Sequence, residues 1–190
     1  MPTYRTRFHD WIGDGYAVLF SHPKDFTPAC TTERGLMAGL APGFAKRGAK
    51  IIGISVDPVT SHHKWKADIQ MATGNSVAYP LIGDTDLTVA KLYDMPADNA
   101  TERTVFIIGP DKRIKLSLSY PMTTGRNFDE ILRALDSIHL TARHQVATPA
   151  NWKLGEDVIV TTAVSDDDAV TRFGGFDRVL PNLRKTGQPG

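Results

Sequence analysis

A single cysteine, Cys30, lies where a thiol could serve as a nucleophile. The apolar run 17–20 predicts a buried strand just before it, and a helix is predicted to begin around it. Thr27 is a typical helix N-cap, and Pro28 then falls at the first helical position, where its missing N–H costs nothing. Cys30 follows in the first turn, where the helix dipole favours the thiolate, which is the nucleophilic form. This spacing predicts a reactive thiol.

The helix dipole alone is too weak to keep a thiol ionised. A helix N-terminus contributes about 0.3–1 kcal/mol, whereas a hundredfold gain in thiolate requires about 2.7 kcal/mol. A cation from elsewhere in the chain must therefore act on Cys30. Glu33, one turn further along the same helix, could hold a nearby base or orient a guanidinium. The alternative is that Cys30 is an unreactive buried residue, which is common for lone cysteines.

The composition argues against several classes of function. The formal net charge of the 190 residues is +1, so no charge signal points to nucleic acid. No apolar run is long enough to cross a membrane, and the first residues lack the apolar region of a secretory signal. One unpaired cysteine is typical of a reducing compartment, and we expect the cytoplasm. Adjacent His62 and His63 point in different directions on a helix, so no metal site or other cofactor is predicted.

Strand and helix patterns alternate along the chain. This alternation predicts an α/β sheet covered by helices, and a thiol at the first helix favours a thioredoxin-like fold. Trp65 and Ile69, spaced i, i+4, are expected on the inner face of the second helix. Asp86 is expected to cap the third helix, and Asn127 with Glu130 forms a capping box at the start of the fourth. Strands are predicted at residues 16–20, 50–56, 80–82, 104–108 and 114–119, and helices at 31–47, 57–73, 86–93 and 127–144.

The character of the sequence changes after residue 145. Residues 1–145 are predicted to form the thioredoxin-like domain, and residues 146–190 a C-terminal arm. The arm has too little apolar content to fold by itself, so we expect it to pack on the core or on a second subunit. Its acidic run, 166–168, is typical of the solvated start of a helix.

The segment around the cysteine resembles the peroxiredoxin family, and the whole chain is most similar to the one-cysteine branch of that family. The spacing Pro-x-x-x-Thr-x-x-Cys is met by Pro23, Thr27 and Cys30. Several separated motifs in the family's order are more specific than one motif alone. The further stretches that resemble the family are residues 101–106, 109–112, 120–130 and 146–152.

The resemblance implies a thiol peroxidase that reduces hydrogen peroxide and organic hydroperoxides. Cys30 matches the attacking thiol of the family, which becomes a sulfenic acid. Thr27 matches the residue whose hydroxyl contacts peroxide and thiolate. Arg103 matches the guanidinium that favours the thiolate and holds the substrate, and it would supply the required cation. Pro23 matches the proline that shields the pocket from water.

Three further residues are assigned to the substrate pocket. His22 resembles the pocket histidine of the one-cysteine branch, and a structural role, in hydrogen bonds to backbone or to the arm, is an equal alternative. Arg126 resembles a second pocket arginine, with a surface charge beside a helix as its alternative. Glu33 is placed in the same pocket because it lies one turn after Cys30.

A chain with one cysteine needs an external reductant, since no second thiol in the chain can resolve a sulfenic acid. The resemblance suggests glutathione, a thioredoxin-type thiol or ascorbate as this reductant. It also implies a homodimer or a larger homo-oligomer that uses the C-terminal arm.

Two other functions compete with this prediction. A cysteine hydrolase would use Cys30 with His9 or His22 as its base, and a chaperone-like or scaffold protein would not need Cys30. A disulfide oxidoreductase is disfavoured, because Thr27 and Glu33 occupy the positions where a Cys-x-x-Cys pair would place its second cysteine.

Overall fold

The structure is a computed structural model that describes residues 7–97 and 100–190, so residues 1–6 of the predicted first domain lie outside it. The chain divides into two compact units, the first ending at Phe128 and the second running from Asp129 to Gly190. The sequence suggested a boundary at residue 145 instead. The difference is the long helix that follows residue 128, which groups with the second unit.

A five-stranded sheet forms the centre of the first unit, in the order β3-β2-β1-β6-β7. Its elements are α1 (Phe8–Ile12), β1 (Tyr16–Ser21), α2 (Pro28–Lys46), β2 (Ala49–Ser55), α3 (Val59–Thr73), β3 (Leu81–Gly83), α4 (Thr88–Leu92), β4 (Pro96–Ala97), β5 (Ala100–Thr101), β6 (Arg103–Ile108) and β7 (Ile114–Tyr120). Strands β1, β2 and β3 pair in parallel, and β6 and β7 add an antiparallel hairpin. This mixed sheet confirms the predicted thioredoxin-like α/β fold.

Burial explains why the central strands form where they do. All six residues of β6 are buried, as are five of the six in β1. Each strand contains a continuous apolar run, 17–20 in β1 and 105–108 in β6, which is typical of the middle of a covered sheet. Strand β7 lies at the edge and is largely exposed. The buried core on one side of the sheet contains Ile12, Ala17, Leu19, Ile52, Ile54, Ala90, Met95, Phe106 and Ile108.

The long helix α2 carries the cysteine and packs beside α3. Trp65 and Ile69 of α3 are fully buried, as their spacing predicts. Helix α2 is buried at Gly35, where a Cβ atom would lie within 2.5 Å of three side-chain atoms of Thr73. Glycine is therefore required at this position by the close approach of the two helices.

The start of α4 differs in part from the expectation. Asp86 does bind the first turn, since its carboxylate accepts from the backbone N–H of Thr88 at 3.1 Å. The buried carboxylate of Asp84 also accepts from Val89 and Ala90, at 3.0 and 2.7 Å. The sequence did not single out Asp84, because the fold brings it to the helix from the end of β3. The short helix α1 and the small β4–β5 pair were not predicted either.

The second unit has a small antiparallel sheet of its own, in the order β10-β11-β9-β8. Its elements are α5 (Phe128–Arg143), whose first residue belongs to the first unit, β8 (Val146–Ala147), β9 (Val158–Val160), α6 (Asp166–Phe173), β10 (Asp177–Leu180) and β11 (Leu183–Thr186). Two apolar clusters hold it, the first made by Leu140, Val146, Trp152 and Val158, the second by Val160, Val164 and Ala169.

The acidic run 166–168 does begin a helix. Ser165 caps α6 by accepting from the backbone N–H of Asp168 at 3.1 Å, and the three acidic residues occupy the first turn. Asp166 also forms ion pairs with Arg178 and Arg184. Within the described part of the chain, no helix is long and apolar enough to cross a membrane.

We predict that Gly35→Ala lowers the free energy of unfolding by about 1–3 kcal/mol, because the added methyl group overlaps Thr73. Gly39→Ala is the matched control on the same helix. There a Cβ atom would lie 3.2 Å or more from the movable side chain of Asn75. Its unfolding free energy should stay within about 1 kcal/mol of the natural chain's. Equal urea midpoints for the two variants would contradict this account of the helix contact.

Candidate active site

Helix α2 places Cys30 in its first turn, at the third helical position. Thr27 is the N-cap residue and Pro28 begins the helix, as the sequence predicts. The hydroxyl of Thr27, however, donates to the carbonyl of Lys24 at 3.0 Å and does not accept from the first turn. The predicted capping hydrogen bond is therefore wrong, because the preceding loop curls back over the helix start and offers a nearer acceptor. The side chain of Cys30 is fully buried.

The guanidinium of Arg103 lies against the sulfur of Cys30. Its Nη1 is 3.5 Å from Sγ, although the two residues are 73 positions apart in the sequence. The same Nη1 donates to Glu33 at 2.6 Å, and Nε donates to the backbone carbonyl of Met122 at 2.7 Å. These contacts fix the plane of the guanidinium. The cation required by the energy argument is thus beside the thiol.

The buried carboxylate of Glu33 joins two arginines. Besides Arg103, it accepts from the backbone N–H, Nε and Nη2 of Arg126 at 2.8, 3.1 and 2.7 Å. Arg126 also donates to the carbonyl of Ser21 at 2.6 Å. Burial lowers the pKa of Arg126 and the Glu33 charge opposes that shift, so the guanidinium stays charged. Both Glu33 and Arg126 lie in the interior, and the surface alternative for Arg126 is wrong.

His22 is held by two neighbours through its ring. Nε2 lies 2.6 Å from Asp25, and Nδ1 is bound by the guanidinium of Arg34. Its backbone N–H donates to Ile54 at 3.0 Å, and its carbonyl accepts from Thr101 at 2.6 Å. The structure thus gives His22 the hydrogen bonds of a structural role, within the first unit. Arg34, which the sequence analysis passed over, is one of its partners.

A hydrogen-bonded chain continues from His22 through Asp25 to His62. The second oxygen of Asp25 lies 2.7 Å from Nδ1 of His62, and the three side chains could in principle enclose a metal ion. A guanidinium has no acceptor, so Nδ1 of His22 must accept and Nε2 must carry the proton. That nitrogen therefore donates to Asp25 and is not free to ligate a cation. The residues fit a chain of hydrogen bonds and do not fit a metal site.

The sequence did contain a signal for His62. It precedes Trp65 by three residues and Ile69 by seven, so it shares the inner face of α3 with them. His62 is buried and its neighbour His63 is exposed. Treating the two histidines as a pair hid this difference.

The loop between β1 and α2 covers the helix start. Pro23 is buried within it, and Phe26 is 52% exposed. Phe26 adopts a left-handed backbone conformation with φ of 55°, which is unusual for a residue other than glycine. Its ring lies 6.0 Å from that of Trp65.

The AhpC/TSA family matches residues 4–117, and the C-terminal domain of 1-Cys peroxiredoxin matches residues 137–175. The chain belongs to the one-cysteine branch of the peroxiredoxin family. This confirms the resemblance that the motifs predicted. Peroxiredoxins are thiol peroxidases, so the chain is an oxidoreductase of that kind.

Relatives agree over nearly the whole chain. Peroxiredoxin-6 of Rattus norvegicus is 49% identical over 96% of this chain and 90% of its own length. The 1-Cys peroxiredoxin PER1 of Triticum aestivum is 49% identical over 95% of this chain and 87% of its own. A crystal structure of a cysteine-to-serine mutant of peroxiredoxin 6 from Arenicola marina has a TM-score of 0.92 and 44% identity, and covers 97% of this chain and 90% of that one. The yeast mitochondrial 1-Cys peroxiredoxin has a TM-score of 0.90 and 46% identity, with 95% and 90% covered.

We predict that the free energy of unfolding falls as the pH is lowered from about 7 to about 5, partly through His22. Burial, followed by the charge of Arg34, holds the pKa of His22 well below its ordinary value of 6.5. Below about pH 6.5 the imidazole of His22 binds a proton in the unfolded chain but stays neutral in the folded chain, so acid favours unfolding in this window. The pKa of Asp25 is also lowered, by its hydrogen bonds to His22 and His62 against the effect of burial, but its contribution is lost only below about pH 4.

His22→Gln should flatten the slope of stability against pH between about pH 5 and 7, because Gln can keep both hydrogen bonds but does not titrate. His63→Gln, at an exposed position, is the control and should keep the slope. Urea unfolding across this range measures both. An unchanged slope in His22→Gln would show that His22 does not stay neutral in the folded chain.

Proposed function

We propose that this chain reduces hydrogen peroxide and small organic hydroperoxides through the thiolate of Cys30. The thiolate attacks one oxygen of the substrate, the O–O bond breaks, and Cys30 becomes a sulfenic acid while the departing alkoxide or hydroxide takes up a proton. The observation that carries the proposal is the 3.5 Å contact between Nη1 of Arg103 and the sulfur. A fixed cation there favours the thiolate and also the negative charge that develops on the departing oxygen.

The other residues around the sulfur support this chemistry in distinct ways. Glu33 holds the guanidinium of Arg103 in place through the 2.6 Å ion pair. Thr27 donates to Lys24, so its hydroxyl oxygen remains able to accept from the O–H of a peroxide. Pro23, buried in the covering loop, would limit the access of water to the sulfenic acid. Arg126 supports the site indirectly, because its guanidinium holds the carboxylate of Glu33 in place.

His22 is proposed to position the loop that carries Pro23 and Thr27. Its ring is bound to Asp25 and Arg34, and its backbone joins Ile54 of β2. This network anchors the loop between β1 and α2 without placing the imidazole in the reaction. The same network disfavours a cysteine hydrolase with His22 as its base, because neither ring nitrogen is free.

The second half of the cycle is proposed to use an external thiol of the glutathione or thioredoxin type, or ascorbate. One thiol would displace water from the sulfenic acid to form a mixed disulfide with Cys30. A second thiol would attack this mixed disulfide, which releases the thiol of Cys30 and joins the two reductant thiols in a disulfide. The chain holds one cysteine, so it cannot supply either thiol itself. A structure of the yeast mitochondrial relative concerns resolution by glutathione and thioredoxin systems, which supports a thiol reductant here.

A homodimer or larger homo-oligomer, formed through residues 146–190, and a cytoplasmic location are proposed with this activity. Val179 and Leu180 of the edge strand β10 are each 53% exposed, which supports a contact with a second copy. The unpaired cysteine supports a reducing compartment. A chaperone-like or scaffold role is not favoured, since it would leave the arrangement of Arg103, Glu33 and Cys30 without use.

One equivalent of hydrogen peroxide should convert Cys30 to a sulfenic acid, which a dimedone-type probe followed by mass spectrometry will detect as an adduct at that residue. Cys30→Ser should lose both the adduct and peroxide consumption. Excess peroxide should produce sulfinic acid, because no internal thiol competes for the intermediate. Peroxide consumption that survives Cys30→Ser would rule out the proposed function.

Arg103→Met should slow oxidation of Cys30 by about 100-fold or more, because one fixed donor to the reacting centre is removed. Stopped-flow measurement of peroxide reduction gives the rate. Arg113→Met is the matched control, since Arg113 is an exposed arginine in the turn between β6 and β7. Equal rates in the two variants would remove Arg103 from its proposed role.

A further inference from the structure

Arg34 is a buried arginine that has no carboxylate among its partners in the described chain. Its side chain has no exposed surface, and among the described residues Nη2 is the one side-chain nitrogen that makes a hydrogen bond, to His22. Nε and Nη1 have no partner among the described residues. Burying a charge in this way is costly unless another charge offsets it.

Aromatic rings surround this guanidinium. Its central carbon lies 5.3 Å from the ring of Phe20, 5.7 Å from Trp65 and 6.0 Å from Tyr79. Gly53 of β2 gives it room, since a Cβ atom there would lie 2.5 Å from Nη1. Cation–π contacts recover part of the lost hydration but supply no negative charge. The surroundings hold the position of Arg34 and leave its charge uncompensated.

The charges buried near Arg34 do not balance while the thiol is protonated. Setting the two histidines aside, Arg34, Arg103 and Arg126 contribute three positive charges, and Asp25 and Glu33 contribute two negative ones. Among the described residues of this unit, the other buried carboxylate is Asp84, which is already satisfied by two amides of α4. The groups that face this cluster from the surrounding elements include His22, His62, Lys66 and Tyr79. The half-buried carboxylate of Asp57 also faces it, and accepts from the backbone N–H of Asp25 at 2.7 Å.

We propose that Arg34 is a positioning residue that favours the thiolate of Cys30 by supplying a buried positive charge that only the ionised sulfur offsets. Arg34 follows Cys30 by four residues on α2, so the two side chains lie on the same face of the helix. Arg103 contacts the sulfur directly, while Glu33 cancels much of its charge. Arg34 has no carboxylate in direct contact among the described residues, so less of its charge is cancelled. This inference rests on the proposed function, in which the thiolate is the attacking group.

The field of Arg34 reaches other groups of the site. Its charge lowers the pKa of Arg126, together with burial and Arg103, and contributes to the lowered pKa of His22. Arg34 and Arg126 each lie 5.3 Å from the same ring, that of Phe20. Because Arg126 and Glu33 hold Arg103 beside Cys30, a charge that acts on Arg126 also acts on the surroundings of the sulfur.

The test measures alkylation of Cys30 by iodoacetamide as a function of pH, which reports the thiolate without using peroxide. In Arg34→Met, alkylation near neutral pH should slow about tenfold, since removal of one nearby unit charge at an effective dielectric constant near 20 changes an ionisation equilibrium by roughly that factor. At alkaline pH the rate should return to that of the natural chain. Arg34→Lys, which keeps the charge, should keep the pH profile, and so should the exposed control Arg113→Met.

Urea unfolding of the same variants separates a charge effect from a structural one. Arg34→Met should be at least as stable as the natural chain, because it removes an uncompensated buried charge. A pH profile that does not move, or a lower rate that persists at alkaline pH, would overturn the proposal. Failure of Arg34→Met to fold would overturn it as well. If Arg34→Met shifts the alkylation profile as expected but the natural chain does not reduce peroxide, the proposed function is contradicted and the role of Arg34 stands.

Discussion

The site depends on one buried carboxylate that holds two guanidinium groups beside a thiol. Glu33 lies one turn after Cys30, so the helix that presents the sulfur also presents the anchor for Arg103 and Arg126. Removing such a carboxylate would leave two buried cations facing each other, which is far more costly than losing a surface ion pair. The orientation of Arg103 toward the sulfur is therefore as firm as the packing of α2 on the sheet.

Sheet pairing explains how residues far apart in sequence meet at this point. Strand β6 runs antiparallel to β1, with Phe20 opposite Val105. Arg103, at the start of β6, therefore lies beside the carboxyl end of β1. The loop after β1 leads directly into α2, and the thiol lies there as a result. Open α/β sheets commonly place their chemistry beyond the carboxyl ends of strands. The pairing of β1 with β6 thus decides which cation the thiol receives.

Local sequence signals were enough to predict much of the fold, and the features that were missed depend on long-range contacts. The Thr27–Pro28 pair marked the start of α2, and continuous apolar runs marked β1, β2 and β6, because backbone sterics and burial act within a few residues. The hydroxyl of Thr27 could not be predicted in the same way, since its acceptor is a carbonyl that only the folded loop presents. Arg34 could not be identified as buried either. Its buried position depends on the room left by Gly53, which lies on strand β2 and not on the helix that carries Arg34.

The backbone of Phe26 has a consequence for how the sulfur is reached. Cys30 has no exposed surface, so both a peroxide and a larger thiol reductant would need the covering loop to move. A left-handed conformation at a residue with a bulky side chain costs on the order of 1–3 kcal/mol. Movement of the loop away from the sulfur would allow Phe26 to adopt an ordinary backbone conformation, which would offset part of the cost of opening. Uncovering the oxidised sulfur would then cost less than its depth in the protein alone implies.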